Sequence, residues 1–450
     1  MLTNSSFLGT KNVHKLLLSL ALPAVIAMVA SGIYSILNTF IVAKGINIQA
    51  VGAIGIIFPI QILYHGFAQM ISIGAASDIS RSLGKKDNER ARYATTQSFT
   101  LTLVISIILM VVTGLFIQGI LLMFGANQEL LTLAQEYLNV LIWSIPFNAI
   151  VLLSSAILRA VGNLKQSMIV ILLESILNII LDLIFIFYLN FGIKGIAYAT
   201  IISQAITTIY ALYYIFRSKS GLEFKKEYLK PNFDISKSIL KVGFSAFARN
   251  AATATLSIVI NTSLRTLGGT KSLTAFGAVN RIVNFFFLPI MGVNQGMQPI
   301  ASYNYGANAP ERIKQVVKFS LIYTTAIGII ASLVGIFLSN MTLQIFIKET
   351  NILTEASFIF KLQLIFFWTM GFQTVTATLY QALGQALPAL IISVFKQLFI
   401  LIPLIYLLPN LTNPQLIGVW YAFPIGECLT FIIILIILRN KWKSLTPCAS

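Results

Sequence analysis

A chain of 450 residues that is 57% hydrophobic, 10% charged and has a mean hydropathy of +0.85 is not a soluble globular protein, in which about a quarter of residues are charged. The net charge of +17 does not point to nucleic acid, because the basic residues gather in alternate loops between apolar runs. Two cysteines, Cys428 in an apolar run and Cys448 near the end, supply neither a disulfide framework nor a metal cluster.

The apolar runs are long enough to cross a hydrocarbon layer, which takes roughly 20 residues. They predict twelve helices at about 16–42, 50–80, 94–118, 131–158, 166–190, 193–216, 237–266, 272–304, 315–339, 354–383, 387–408 and 415–438. The first run is too long for a signal-peptide core and reads as an uncleaved helix carrying Asn38 in SILNTF. The second holds His65, expected to be hydrogen-bonded within the bundle. Pro59, Pro146, Pro289, Pro299 and Pro403 interrupt helices, and Gly66, Gly74, Gly292 and Gly296 cluster in the second and eighth, which suits bending or close packing.

The fifth helix carries an unusual stripe. In ILLESILNIILDLIFIF (171–187), Glu174, Asn178 and Asp182 stand four apart among apolar residues. Four residues advance about 400° around an α-helix, so the three form one slowly drifting line about 12 Å long. A carboxylate in hydrocarbon costs roughly 2.5–3.5 kcal/mol and persists only beside a partner, a water-filled cavity or an ion. Asp182 is expected about midway along its helix, with Glu174 two turns nearer the cytoplasm. Glu427 in FPIGECLTF is the one carboxylate deep in the C-terminal half, a candidate with Glu174 for a proton or cation pathway, with substrate-facing and structural roles also open. Arg249 and Arg281 are expected near the membrane rims or against carbonyls. Phe58, Phe67, Phe285, Phe286 and Phe287 fall in helices expected to line a cleft, where aromatic faces suit lipophilic cations, although a single aromatic more often serves packing.

With the N-terminus placed in the cytoplasm, the inside segments carry 22 Lys and Arg and the outside segments six, so both termini face inward. At an offset of 222, GAASDISRSLGKKDNERAR (74–92) lies over GMQPIASYNYGANAPERIK (296–314), and LRAVGNLKQSM (158–168) over YQALGQALPAL (380–390). At 223, GIAYAT (195–200) lies over GVWYAF (418–423). Three ordered matches at nearly one offset indicate a duplicated six-helix unit. An even number of helices makes the repeats parallel, related by a pseudo-two-fold axis along the membrane normal. The expected architecture is therefore an all-α polytopic membrane protein with an N-terminal lobe at 1–216, a cytoplasmic linker at 217–236 and a C-terminal lobe at 237–450.

The twelve-helix duplication, SRSLGKKD and SYNYGAN after helices 2 and 8, RAVGN and QALGQ after helices 4 and 10, and NIILDLIFIF followed by GIAYAT resemble the MATE (multidrug and toxic compound extrusion) family over nearly the whole chain. The resemblance implies two six-helix lobes in a V. It also implies an antiporter in the cell membrane that exports organic, mainly cationic compounds in exchange for H⁺ or Na⁺, with no cofactor. The expected partners are small organic cations and the lipid bilayer, not nucleic acid, and the expected working unit is a monomer. The family's N-lobe cation site maps onto Asn38, Asn178, Asp182 and Thr200; apart from Na⁺ at that site, no metal is implied. Asn38 stands where many members have an acid, a feature shared with a MepA-like bacterial branch, and it leaves the coupling ion open. Oxygen ligands there would suit a hard cation, whereas Asp182 alone would carry a proton. The C-lobe acids of another branch are absent from SAFARNAATATLS and TVTATLYQALGQ.

Glu174 matches no family site. It is expected either on the wall of a cytoplasmic half-channel, passing cations or protons to Asp182, or in an ion pair with a base such as Lys396, its counterpart at the 222 offset. Glu427 has Gln204 as its repeat counterpart. No GxxxxGK[ST] loop, HExxH or GxSxG is present, so ATP-driven transport and intramembrane enzymes lack support. The alternative reading is a lipid-linked oligosaccharide flippase of related architecture, which would line the cleft with arginines.

Overall fold

The computed structural model describes residues 6–46, 48–124, 128–217, 226–344, 347 and 349–444. Part of the predicted linker (218–225) lies outside the described residues, as do Lys348 and Cys448. Among the described residues there is no strand, and twelve long helices follow one another. The first six are α1 Val13–Gly45, α2 Ile48–Gly84, α3 Asn88–Leu115, α4 Gln128–Leu141 continued by Ile145–Ala160, α5 Leu164–Leu183 and α6 Gly192–Arg217. The second six are α7 Phe233–Leu267, α8 Gly269–Gly306, α9 Pro310–Phe337, α10 Thr350–Leu364 continued by Met370–Ala382, α11 Ala386–Phe395 and α12 Gln415–Ser444. The prolines at 59, 289 and 299 lie inside continuous helices and do not end them.

Local chemistry sets the helix starts. Asn12, Asp87, Asn163 and Asn232 each accept a hydrogen bond from a first-turn backbone N–H of α1, α3, α5 and α7. Gly162 and Gly384, at φ +85° and +73°, make the same turn in the two repeats, as do Lys86 and Asn308 at φ +61° and +53°. The breaks recur as well: α4 is interrupted by a 3₁₀ turn at Ile142–Ser144, and α10 by one at Phe367–Thr369. The duplication read from short motifs is thus repeated in backbone geometry.

Eleven helices are long and apolar enough to cross a membrane; α7 is long enough but more polar. Its polarity follows from its position. Ala252, Leu256, Ile260 and Leu264 are buried in their own lobe, whereas Thr253, Ser257, Asn261 and Arg265, each one residue further on, are exposed. An exposed polar stripe at membrane depth is stable only where it meets water, so this face borders the space between the lobes.

The lobes meet mainly through α1 against α8 and α2 against α7. The seam is tightest at the end that carries the N-terminus. A Cβ on Gly84 would strike the Tyr303 carbonyl, and one on Gly306 the Arg81 carbonyl, so α2 and α8 cross at symmetry-related glycines. Gly74 meets the Ile239 carbonyl and Gly243 the Met70 carbonyl in the same way. Hydrogen bonds bind the same end: Ser77 donates to the Gln381 carbonyl at 2.5 Å, Gln381 to Ser245 Oγ at 3.0 Å, and Ser238 to Asp78 Oδ2 at 2.6 Å. Asp78 is buried and also faces Arg81 at 3.4 Å and Arg90 at 3.3 Å.

A side chain at either crossing glycine must push backbone apart. Gly84→Leu is expected to lower the melting temperature by about 5 °C. It should also expose a Ser77→Cys thiol to a membrane-impermeant maleimide. Gly119→Leu, whose Cβ meets open space, serves as the control and should change neither.

Candidate functional site

The stripe on α5 reaches the positions opposite it on α1 and α6. The Asn38 amide donates to Asp182 Oδ2 at 2.8 Å and to the Tyr34 hydroxyl at 3.2 Å. Tyr34 in turn donates to Asn178 Oδ1 at 2.9 Å. The Asn178 amide donates to Ser203 Oγ at 3.1 Å and to Thr200 Oγ1 at 3.4 Å. Asn38, Asn178, Asp182 and Thr200 are therefore gathered in one network, with Asp182 and Asn178 at 1% and 2% exposure. Tyr137 of α4 lies within electrostatic reach of Asp182 and shares a hydrogen bond with Gln61 of α2.

Asp182 Oδ1 is buried and has no hydrogen-bond partner among the described residues. One carboxylate oxygen is thus neutralised by an amide, while the other is open to a proton or a cation. The neighbouring oxygens are already engaged: Asn178 Oδ1 accepts from Tyr34, and the Thr200 hydroxyl donates to the Ile196 carbonyl at 2.9 Å. Asn38 turns its donor, not its oxygen, towards the acid. This arrangement offers a proton one acceptor, whereas a hard metal ion requires several oxygen ligands.

Asp182 lies six residues before Tyr188, the end of the π-helical turn that continues α5, or about 9 Å from that end. This corrects the expectation of a mid-helix Asp182; Glu174 is the acid nearer the helix middle. Glu174 does not pair with Lys396. It accepts from Gln204 Nε2 at 3.0 Å within the N-terminal lobe, and Lys396 forms a buried ion pair with Glu427 within the other lobe. The four residues occupy repeat-equivalent places, so the duplicated unit keeps a polar pair between its fifth and sixth helices but changes its charge. A bare acid faces an amide in one lobe, and an internal salt bridge fills the other.

Sequence reasoning missed Tyr34, Tyr137 and Ser203. Tyr34 sits one turn before Asn38 on the same helix face, and Ser203 one turn after Thr200, so helical spacing from the recognised residues could have found both. Tyr137 comes from a helix with no sequence signal for the site. Arg249 is not at a rim: it lies beside His65 at the seam of α2 and α7.

A profile of the MatE family matches residues 23–184 and 246–407, one copy in each half. The multidrug export protein MepA of Staphylococcus haemolyticus (strain JCSC1435) is 29% identical over 433 residues, covering 96% of this chain and 95% of that protein. A MATE crystal structure in complex with MaD3S superposes with a TM-score of 0.94 at 24% identity, covering 98% of this chain and 99% of the other. An outward-facing multidrug resistance MATE transporter of the MOP superfamily superposes at 0.93 with the same identity and coverage. At this identity the structural likeness establishes the shared fold.

The Lys396–Glu427 pair is desolvated on both sides, so removing one partner should cost more than removing both. Lys396→Met is expected to destabilise the protein by about 3–5 kcal/mol. Lys396→Met combined with Glu427→Gln should recover most of the loss in thermal unfolding of the purified protein.

Proposed function

Because the chain belongs to the MatE family, a family of membrane transporters and not enzymes, we propose that it is a multidrug exporter of the MepA branch that expels organic, mainly cationic compounds in exchange for H⁺. Lobes 1–216 and 237–450, joined by 217–236, rock about their seam in a single chain. With both termini cytoplasmic, as the basic loops imply, the tightly packed end faces the cytoplasm and the arrangement opens outward. The MepA relative supports the drug-export reading by its name and by its near-complete coverage in both directions.

The observation that carries proton coupling is the unpartnered, buried Oδ1 of Asp182 beside an amide that presents only its donor. Protonation would cancel the buried charge. In the outward-open state the acid would take a proton from outside; in the inward-open state it would release it to the cytoplasm. Asn178, held by Tyr34, Thr200 and Ser203, acts as the rigid backing that keeps α1 and α6 against α5 around the acid. Glu174, about two turns nearer the cytoplasmic end, would pass the proton inward.

In proteoliposomes, ethidium export should follow an imposed pH gradient and not a Na⁺ gradient alone. Asp182→Asn should lower pH-driven export at least about tenfold while ethidium still binds. Full export by the variant, or drive by Na⁺ alone, would sink the proton reading. Glu174→Gln should slow export and alter its pH profile; an unaltered profile removes Glu174 from the pathway.

A further inference from the structure

The four helices that form the seam carry acids only at their cytoplasmic ends. Asp78 and Asp234 are the sole carboxylates of α1, α2, α7 and α8, yet Arg249, Arg265 and Arg281 lie further along. Arg249 is half-buried, and among the described residues its guanidinium has neither a hydrogen-bond acceptor nor a carboxylate partner. A charge at this depth is expensive unless it meets water or a counter-charge. Around it the lobes are joined by polar and aromatic contacts. The His65 ring nitrogen shares a 2.9 Å hydrogen bond with Gln69, Asn250 donates to Gln69 Oε1 at 3.3 Å, and the Phe67 and Phe247 rings pack at 4.5 Å. Arg249 also begins the line, continued at spacings of four by Thr253, Ser257, Asn261 and Arg265, that leads out along the exposed polar face of α7.

We infer that Arg249 is an anion subsite at the seam, which takes the carboxylate of aromatic, carboxylate-bearing substrates. The guanidinium supplies paired donors that match a carboxylate, His65 lies within electrostatic reach of it, and Asn250 and the Phe67–Phe247 pair add polar and aromatic groups to the same seam. A compound carrying both an ammonium and a carboxylate would then place its negative end here. This rests on the export reading for its biological meaning, but as a binding site it stands independently of coupling.

The test is equilibrium binding to the purified full-length protein in detergent, with no transport required. The probes are norfloxacin, which carries a carboxylate, its methyl ester, which lacks it, and ethidium. Wild type should bind the acid about tenfold more tightly than the ester. Arg249→Gln should remove that preference by weakening the acid and leave the ester and ethidium unchanged. Arg249→Lys should keep part of the preference. Retained ethidium binding shows that each variant is folded. Equal affinity for acid and ester in wild type, or equal loss of all three ligands in Arg249→Gln, overturns the assignment. So does phosphatidylglycerol displacing norfloxacin from wild type with the acid preference lost, because the occupant is then a lipid phosphate. If export fails in vesicles while the acid preference persists, the transport reading falls and the subsite does not.

Discussion

A carboxylate inside a bilayer must be matched, because hydrocarbon offers it no water, and the fold of the N-terminal lobe is arranged around one that is matched on only one side. Asp182 has an amide on Oδ2 and, among the described residues, no hydrogen-bond partner on Oδ1. A fully satisfied acid would act as structural cement, and a fully bare one would expel itself or admit water. Around Asp182, Tyr34 engages the oxygen of Asn178, and Asn178 turns its amide to Thr200 and Ser203. The competing oxygens are thereby taken out of play.

The duplicated halves show what the imbalance requires. Both lobes keep a polar pair between their fifth and sixth helices, but in the C-terminal lobe the lysine is a built-in cation that neutralises Glu427. A buried ion pair with both partners fixed has no reason to exchange a proton. In the N-terminal lobe Gln204 gives Glu174 one donor, and among the described residues its own Oε1 has no partner. The same backbone thus carries a closed charge pair on one side and open acids on the other.

How much of this was legible in the sequence depends on the range of the interaction. Helix number, the repeat and the stripe on α5 follow from periodicity along the chain, and the loop motifs recur as left-handed turns at equivalent positions. Asn38, Asn178, Asp182 and Thr200 were placed together by resemblance, and the structure joins the pairs Asn38–Asp182 and Asn178–Thr200 through Tyr34. Partner choice was not legible. Glu174 and Lys396 coincide in repeat register, and register says nothing about which neighbour lies across the lobe; each finds its partner on the adjacent sixth helix of its own repeat. The depth of Asp182 was misjudged: the helix runs from its Asn163 cap to Tyr188, and Asp182 lies in its last third. Arg249 was misplaced because hydropathy cannot distinguish lipid from an aqueous gap.

The remaining step concerns how an event at Asp182 reaches the seam. Tyr137 bonds to Gln61, and Gln61, His65 and Gln69 recur at spacings of four along α2, which places them on one face of that helix. Gln69 then meets Asn250 across the lobes at 3.3 Å. A polar line therefore runs from beside the acid, down the helix that forms the seam, to the residues around Arg249. α2 is also the helix whose glycines at 74 and 84 pack against backbone of the opposite lobe, contacts too close to slide gradually. Such a seam is held or released as a unit, so a modest change in the charge beside α2 need not push the lobes apart. It need only shift the balance between two packed arrangements, which is what the proposed export cycle would require of this seam.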